Sequence, residues 1–361
     1  MRALASIKTI SAIEPIENKD RIVLATVDGW NVIVKKDEYN VGDRCVYVEI
    51  DSVLPERPEF EFLRSKDFRI KTIKMAGVVS QGICFPMSIL PSGDYSINQD
   101  VTAILGVKQY EATIDTDPQP YVSKNVVRKY PQFLMRMKWF RNLVLPKKDN
   151  KEFPTFISKT DEIRIQNIPS ILKDKETKWV ITEKVDGQSG TFALVRHKSK
   201  IPFMRDKFEF IVCSRNRRLP TPDNSSYWSV ARKYNIERVL RYLIGANDWV
   251  AIQGECIGPK IQKNKYKFND FELLVFNLIF PSGRMPSIAA EELCEDLCLN
   301  FVPILANEVS LPDTVEEVLA IAHGKSRLCY DMLREGVVFR SADGVKSFKA
   351  VDPLFLLKHD E

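Results

Sequence analysis

Thr182-Glu183-Lys184-Val185-Asp186-Gly187 carries an apolar run, Trp179 to Val185, into a lysine and then into Asp-Gly, which turns the chain. The following run, Gly190 to Arg196, reads as a second strand. A lysine amine attacks an activated phosphorus only when it is neutral. Its ordinary pKa of about 10.4 must then be lowered by burial, nearby cations or a metal. Asp186 follows closely enough to hold a hydrated divalent ion, and Gly187 permits a sharp turn and close ligand approach. Alone, Lys-x-Asp-Gly also describes an exposed hairpin turn, so its meaning rests on its surroundings.

Downstream, Phe208 to Cys213, Trp249 to Gln253, Phe271 to Phe280, Gly336 to Arg340 and Val345 to Lys349 read as further strands. Helices interrupt them. Ser225 to Leu243 has Trp228, Ala231, Val239 and Leu243 at helical spacing, with Asp223, Asn224 or Ser225 as cap. Thr314 to Glu317 is a capping box, and Gly324 is the expected stop of that helix. Residues 156–361 are therefore expected to be an α+β domain. Upstream, Ile22 to Val27 and Trp30 to Val34 flank Asp28-Gly29, a strong hairpin signal. Cys45 to Ile50 and Phe68 to Lys74 add strands, so residues 1–105 read as a small β-barrel. An OB-fold and an SH3-like barrel fit this pattern nearly equally.

Residues 106–155 read as a basic connector, with Pro118 and Pro120 opposing regular structure. Between Tyr121 and Lys151, nine lysines and arginines meet a single acid, Asp149. Tyr130, Phe133, Trp139 and Phe140 lie among them. Such a stretch suits phosphates and stacked bases, or equally a solvated linker. In the barrel, Arg69, Lys71 and Lys74 either contact a phosphate backbone or are ordinary solvent-facing strand residues.

The chain has 361 residues and a net charge of +5, and its length favours two domains. No apolar run is long enough to span a bilayer. The start lacks the apolar core of a signal peptide, so an intracellular, cytoplasmic protein is expected, with nucleus and organelle left open. The seven cysteines include no CxxC pair and are expected as buried free thiols. Cys294 and Cys298 are expected to share a helix face. The three histidines, His197, His323 and His359, fit no motif.

Four more short motifs follow the lysine in order. They are Gly254-Glu255-Cys256-Ile257-Gly258, Phe271 to Phe276, Arg334-Glu335-Gly336-Val337-Val338 and Lys346-Ser347-Phe348-Lys349. In this order the chain resembles the covalent nucleotidyltransferase superfamily of ATP-dependent ligases and mRNA capping enzymes. Lys159 to Asn167, Lys19 to Ile22 and Gly29 to Val32 narrow the resemblance to RNA ligases with an N-terminal OB domain. The relatives with DNA-ligase or capping activity carry an OB domain after the closing lysine strand. Only twelve residues follow Lys349 here, which favours the RNA ligase family.

The resemblance implies an α+β protein: an N-terminal OB-type β-barrel followed by a two-sheet, ATP-grasp-like nucleotidyltransferase domain. It implies an ATP-dependent RNA ligase with Mg2+ or Mn2+, joining RNA 3′-OH and 5′-phosphate ends, at a nick or a break, for RNA repair. Lys184 would carry AMP. Asp186, Glu255 and Glu335 would hold the metal, with Glu255 also on the nucleotide side. Lys349 would hold the α-phosphate and help keep Lys184 neutral; where the superfamily often has a second lysine this chain has Val351, so either Lys346 compensates or Lys349 acts alone and Lys346 is a solvated strand lysine. Glu183, Gly187, Arg215 and Arg164 would meet the nucleotide, Arg164 at the β- or γ-phosphate. Phe276 would stack on adenine, with Phe271 as fallback; core packing is the usual fate of such a residue. The competing readings are a DNA ligase or capping-type enzyme, and a non-catalytic RNA-binding protein with a dead nucleotidyltransferase domain. The intact lysine and carboxylates oppose decay, and no Gly-x-x-x-x-Gly-Lys-Ser/Thr supports a P-loop.

Overall fold

The computed structural model describes residues 3–110, 152–199, 205–219 and 225–359. The basic, aromatic-laced stretch from Tyr121 to Lys151 lies outside the described residues. The first domain contributes β1 (Ala5–Pro15), β2 (Ile22–Val27), β3 (Trp30–Lys35), β4 (Arg44–Val48), β5 (Ser52–Val53), β6 (Arg69–Ile70), β7 (Thr72–Met75), β8 (Val78–Gln81), β9 (Ile83–Phe85), α1 (Thr102–Leu105) and β10 (Lys108–Gln109). The principal sheet runs β3-β2-β1-β4-β9. Its centre is β1, where the register shift around Ser11 lets one half of the strand pair with β4 and the other with β2. The β7–β8 hairpin lies beside β3, where the Ile33 N–H donates to Ser80 Oγ at 3.0 Å, and the sheet nearly closes. This is the OB-type barrel. Ile7, Ile10, Val27, Trp30, Tyr47 and Phe60 fill it. Because β10 pairs with β5, the domain continues to Tyr110, beyond the expected boundary at 105.

The second domain contributes β11 (Trp179–Lys184), β12 (Gln188–His197), β13 (Lys207–Cys213), α2 (Ser226–Lys233), α3 (Ile236–Leu243), β14 (Trp249–Ile257), β15 (Glu272–Phe280), β16 (Gly283–Arg284), α4 (Ser287–Asp296), β17 (Asn300–Phe301), β18 (Ile304–Val309), α5 (Val315–Ala322), β19 (Gly336–Ser341), β20 (Ser347–Val351) and α6 (Pro353–His359). One sheet has the order β18-β11-β19-β20, and the other β13-β12-β14-β15-β16 with β17 on β15. Trp179, Phe339 and Phe348 are fully buried in the first sheet's core, with ring centroids 5.2 and 4.7 Å apart in the two pairs. Each such side chain contributes about 1.5–3 kcal/mol of burial. Phe153 packs with Ile211 and Ala251, so the chain has joined this domain before residue 156.

Several local expectations are corrected. The helix expected over Ser225 to Leu243 is two helices, because Asn235 turns left-handed at φ 47°. Ser225 is the cap. The capping box of Thr314 forms as expected, and α5 ends at Ala322 with His323 as its C-cap, immediately ahead of Gly324. Cys298 lies beyond the end of α4 and is exposed, so it shares no helix face with the buried Cys294. Arg69 is buried against Asp51 and the Tyr110 ring rather than offered to a ligand, whereas Lys74 is exposed.

The segment from Arg164 to Asn167 makes polar contacts between the two domains, and Leu356 of α6 packs against the barrel core. Gly29 donates to the Gln166 carbonyl at 3.2 Å, and a Cβ there would lie 2.9 Å from Gln166 Cα. Close approach, rather than turn geometry, therefore demands glycine at the Asp-Gly hairpin; Asp28 takes the left-handed conformation. Trp30 Nε1 donates to Asn167 Oδ1 at 2.7 Å, and Asn167 donates to Glu49 at 2.7 Å. Arg164 donates to Asp51 at 3.0 Å.

Candidate active site

The strand β11 ends at Lys184, and Val185 to Gly187 carries the chain across to β12 in the other sheet. The site lies at this crossing. Antiparallel pairing sets Lys184 opposite Gly336, which places Glu335 beside it. Lys184 Nζ and Glu335 Oε2 are 2.5 Å apart. In the next pairing, Val338 opposes Lys349 as well as Thr182. Paired residues share a face, and so do residues two apart, so Lys349 stands on the Lys184 face. Glu255 comes from the second sheet, opposite Ser189. Register across distant strands thus assembles Lys184, Glu335, Lys349 and Glu255.

Electrostatics bears differently on the two lysines. Burial works against the Lys184 charge, but Glu335, Glu255 and Asp186 more than offset it and hold its pKa above the ordinary value. The surrounding carboxylates therefore favour the charged form of Lys184. Lys349 is the lysine that is lowered, to about 8, chiefly by burial, with Arg164 and Lys184 adding repulsion. Burial also raises the Glu255 carboxyl to about 8. Among the described residues Glu255 makes no hydrogen bond or ion pair.

The segment from Lys159 to Asn167 organises the rest. Asp161 accepts from Lys349 Nζ at 2.8 Å and pairs with Arg215 at 3.1 Å, so Arg215 joins the cluster through a residue the motifs had not singled out. Glu162 receives Ser347 Oγ at 2.5 Å and pairs with Arg284 at 3.3 Å. Arg164 is 6% exposed; Nη2 is spent on Asp51, while its buried Nε and Nη1 have no hydrogen-bond partner. Two orphaned donors beside Lys349 suit an anion, such as a polyphosphate oxygen.

Other expected members stand apart. Glu183 alternates to the opposite face of β11, is 1% exposed, and accepts from Ser326 Oγ at 2.5 Å and Arg327 N at 2.8 Å. Its carboxylate is spent on that loop, not offered to a nucleotide. Lys346 lies outside β20, half exposed, and donates to Asp174 at 2.6 Å. Gly187 is required by the protein itself, since a Cβ would sit 2.5 Å from the Cys256 carbonyl and 2.9 Å from Glu255 Cγ. Phe276 is the extra residue where Val275 and Asn277 oppose the adjacent Gly254 and Gln253. This bulge re-aims its half-buried ring, which lies 5.8 Å from the Arg340 guanidinium. Phe271 packs with the helices' core instead.

The metal expectation meets a closed arrangement. Asp186 is ion-paired with Lys265 and Glu335 with Lys184. Among the described residues no three acidic, histidine or cysteine side chains form a ready-made metal cluster. The donor set nevertheless fits a hard cation, because Glu255 is a partly buried carboxyl that makes no hydrogen bond or ion pair among the described residues, beside two further carboxylates. Lys265 and Tyr266, whose hydroxyl accepts from Asp186 N at 2.9 Å, are the members that no motif announced. Proximity across 79 residues leaves no mark in local pattern.

Comparison with known proteins agrees with this architecture. An OB-fold domain model matches residues 4–87, and an RNA ligase model matches residues 177–351. No curated protein sequence matches the chain. Among solved structures the chain is similar to an RNA ligase of Naegleria gruberi. An aspartate-to-alanine variant without ligand is 32% identical with a TM-score of 0.81, covering 99% of this chain and 98% of that one. A lysine-to-alanine variant of the same enzyme with ATP and Mn is 32% identical at TM-score 0.80, with 99% of each chain covered. The same enzyme with PPi is 32% identical at TM-score 0.80, covering 100% of this chain and 99% of that one. No helix among the described residues is long and apolar enough to cross a membrane. The chain, with an OB-type barrel ahead of a two-sheet catalytic domain, belongs to the RNA ligase family.

Proposed function

We propose that this RNA ligase uses ATP to adenylylate Lys184 and then seals RNA 3′-OH and 5′-phosphate ends, at a nick or a break, in RNA repair. The observation that carries the reading is Lys184 at the crossing between two sheets, 2.5 Å from Glu335, with Lys349 on its own face. In the first step the neutral Lys184 amine attacks the α-phosphorus of ATP, a P–N bond forms and the bond to pyrophosphate breaks. Glu335 Oε2 is placed to take the proton that Lys184 must lose. Next, an oxygen of the RNA 5′-phosphate attacks the lysyl-AMP, releasing the lysine and leaving AMP on the RNA end. Finally the 3′-hydroxyl attacks that activated phosphate and AMP departs. Each step is phosphoryl transfer, so positioning and charge neutralisation dominate.

Lys349 is assigned to the α-phosphate, and Arg164, through its two unpartnered donors, to the departing pyrophosphate. Arg215 is steered by Asp161 towards the same cluster. Phe276 offers a re-aimed ring to adenine. Asp186, Glu255 and Glu335 would hold Mg2+ or Mn2+, which supplies Lewis-acid neutralisation of phosphate charge when bound. The similar Naegleria enzyme, seen with ATP and Mn, supports this reading. The test is incubation with α-labelled ATP and each metal without RNA. Covalent label on wild type and none on Lys184→Ala is expected; label that persists in Lys184→Ala overturns the assignment.

A further inference from the structure

The loop from Gly258 to Phe268 is the most strained segment beside the site. Lys260, Gln262, Lys263, Asn264 and Lys267 all have left-handed backbones, with φ of 66°, 44°, 58°, 48° and 59°. Only asparagine among these adopts that region readily. Such clusters persist where the surrounding structure holds them, and they concentrate at clamps and switches. Here the holding contacts are visible. Asn264 Nδ2 donates to the Phe268 carbonyl at 2.8 Å, and its Oδ1 accepts from Phe268 N at 3.1 Å. Ile261 and Tyr266 are buried anchors. The Tyr266 hydroxyl and the Gln262 amide reach Asp186 N and the Gly187 carbonyl, at 2.9 and 3.4 Å.

This strained backbone delivers one charge inward. The Lys265 ammonium is ion-paired with Asp186, each side chain 15% exposed, and lies 4.9 Å from the centre of the Phe355 ring. Asp186, Glu255 and Glu335 would otherwise face one another with Lys184 as the only cation, among the described residues, in direct contact with any of them. An uncompensated buried carboxylate is costly, so an empty site of this composition requires a second counter-ion. Two cations cannot hold the same Asp186 carboxylate without strong repulsion in a buried site.

We propose that Lys265 is an internal counter-cation: it holds Asp186 in the ligand-free enzyme, and the 258–268 loop withdraws it when a divalent cation binds. The inference rests on the proposed role of Asp186 toward metal. Lys265 is a positioning residue that acts through Asp186. Its cost is weaker metal binding in the empty enzyme, and its benefit is a stable site before substrate arrives.

The test is titration of the full chain with Mn2+ without nucleotide, with free Mn2+ counted by electron paramagnetic resonance. Lys265→Met is expected to bind Mn2+ about tenfold more tightly than wild type. Lys265→Arg, which keeps the cation, should match wild type, and Asp186→Asn should bind more weakly. Weakened binding in Asp186→Asn with unchanged or weaker binding in Lys265→Met overturns the counter-cation while leaving the metal reading intact. Unchanged binding in Asp186→Asn overturns the metal reading itself, and the counter-cation with it. A second measurement uses only wild type: Mn2+ should speed amide hydrogen exchange across residues 258–268. Exchange that stays constant at saturating Mn2+ overturns the proposed withdrawal, whether or not the Met variant folds.

Discussion

Lys184 Nζ and Glu335 Oε2 stand 2.5 Å apart because Lys184 pairs across the sheet with Gly336, the residue after Glu335. The approach needs a glycine there, since a Cβ on residue 336 would run into the Ala350 carbonyl of β20. The pair favours the charged form of Lys184. Glu335→Gln should therefore make the metal-free Lys184 amine more reactive at neutral pH. Amine labelling followed by mass spectrometry across a pH series measures this directly. The labelling curve of Lys184 is expected to move to lower pH in the variant, by about one unit or more, as loss of a close opposite charge does. A curve that does not move would mean that Glu335 leaves the proton on Lys184 unaffected.

Glu255 makes a stability prediction of definite sign. Burial raises its carboxyl from 4.5 to about 8, so the native state binds this proton more tightly than the unfolded chain. Below pH about 4.5 both states are protonated and the group costs nothing. Stability is then lost as pH rises towards about 8, above which the full cost is present. Glu255→Gln removes that cost. In EDTA, the variant should melt close to wild type at pH 5 and above it at pH 8.5, by at least about 2–4 °C, the effect of ~1 kcal/mol in a domain of this size. Calorimetry at the two pH values is the check, and equal melting at pH 8.5 contradicts the assigned burial.

Arg164 links the two domains while aiming its spare donors at the site. Asp51→Ala removes the partner of a guanidinium that is 6% exposed. Breaking a pair of this kind by removing one member should cost roughly 2 kcal/mol, less than for a fully dry pair because Asp51 is partly exposed. The expected result is a lower melting temperature, together with a larger loss of end joining than of self-adenylylation. Equal loss of both would show that the barrel supports the lysine chemistry directly.

Gly187→Ala tests the crossing between the sheets. The added methyl meets the Cys256 carbonyl at 2.5 Å, Ile257 Cγ2 at 2.8 Å and Glu255 Cγ at 2.9 Å. Overpacking of this sort costs about 1–3 kcal/mol and displaces its neighbours. Glu255 lies on the displaced strand, so self-adenylylation should fall about tenfold or more, while circular dichroism still reports a folded protein. Wild-type rates in a folded variant would show that Glu255 tolerates movement.

What the sequence made legible was set by local physics. Strand-forming runs placed β11 to β15, β19 and β20 within a few residues, and Asp28-Gly29 marked its hairpin, whereas β16, β17 and β18 went unread. Asn235 broke a helix whose apolar spacing runs through it unbroken, because the left-handed turn at φ 47° depends on one residue rather than on a pattern. The site was legible where motifs carried it, at Lys184, Glu255, Glu335 and Lys349. It was illegible where long-range geometry decided. Asp161 and Lys265 enter through contacts spanning 188 and 79 residues. Lys346 was weighed as a substitute for the lysine missing at Val351 and as a solvated lysine; it sits outside β20 and pairs with Asp174.

Glu183 supplies the sharpest contrast between motif and structure. It neighbours the nucleophile in sequence, but strand alternation turns it to the other face, where Ser326 and Arg327 receive it. Those residues begin the loop that ends at Glu335. If Glu183 acts by fixing that loop, Glu183→Gln and Ser326→Ala remove the same interaction, and the double variant should lose no more than about 0.5 kcal/mol beyond the worse single one. The loss should fall on kcat for self-adenylylation, through misplaced Glu335, with KM for ATP nearly unchanged. A direct contact between Glu183 and the nucleotide predicts the reverse: KM rises in Glu183→Gln, Ser326→Ala is mild, and the two effects add. The four proteins of this cycle, assayed with ATP alone, separate the two cases without any RNA substrate.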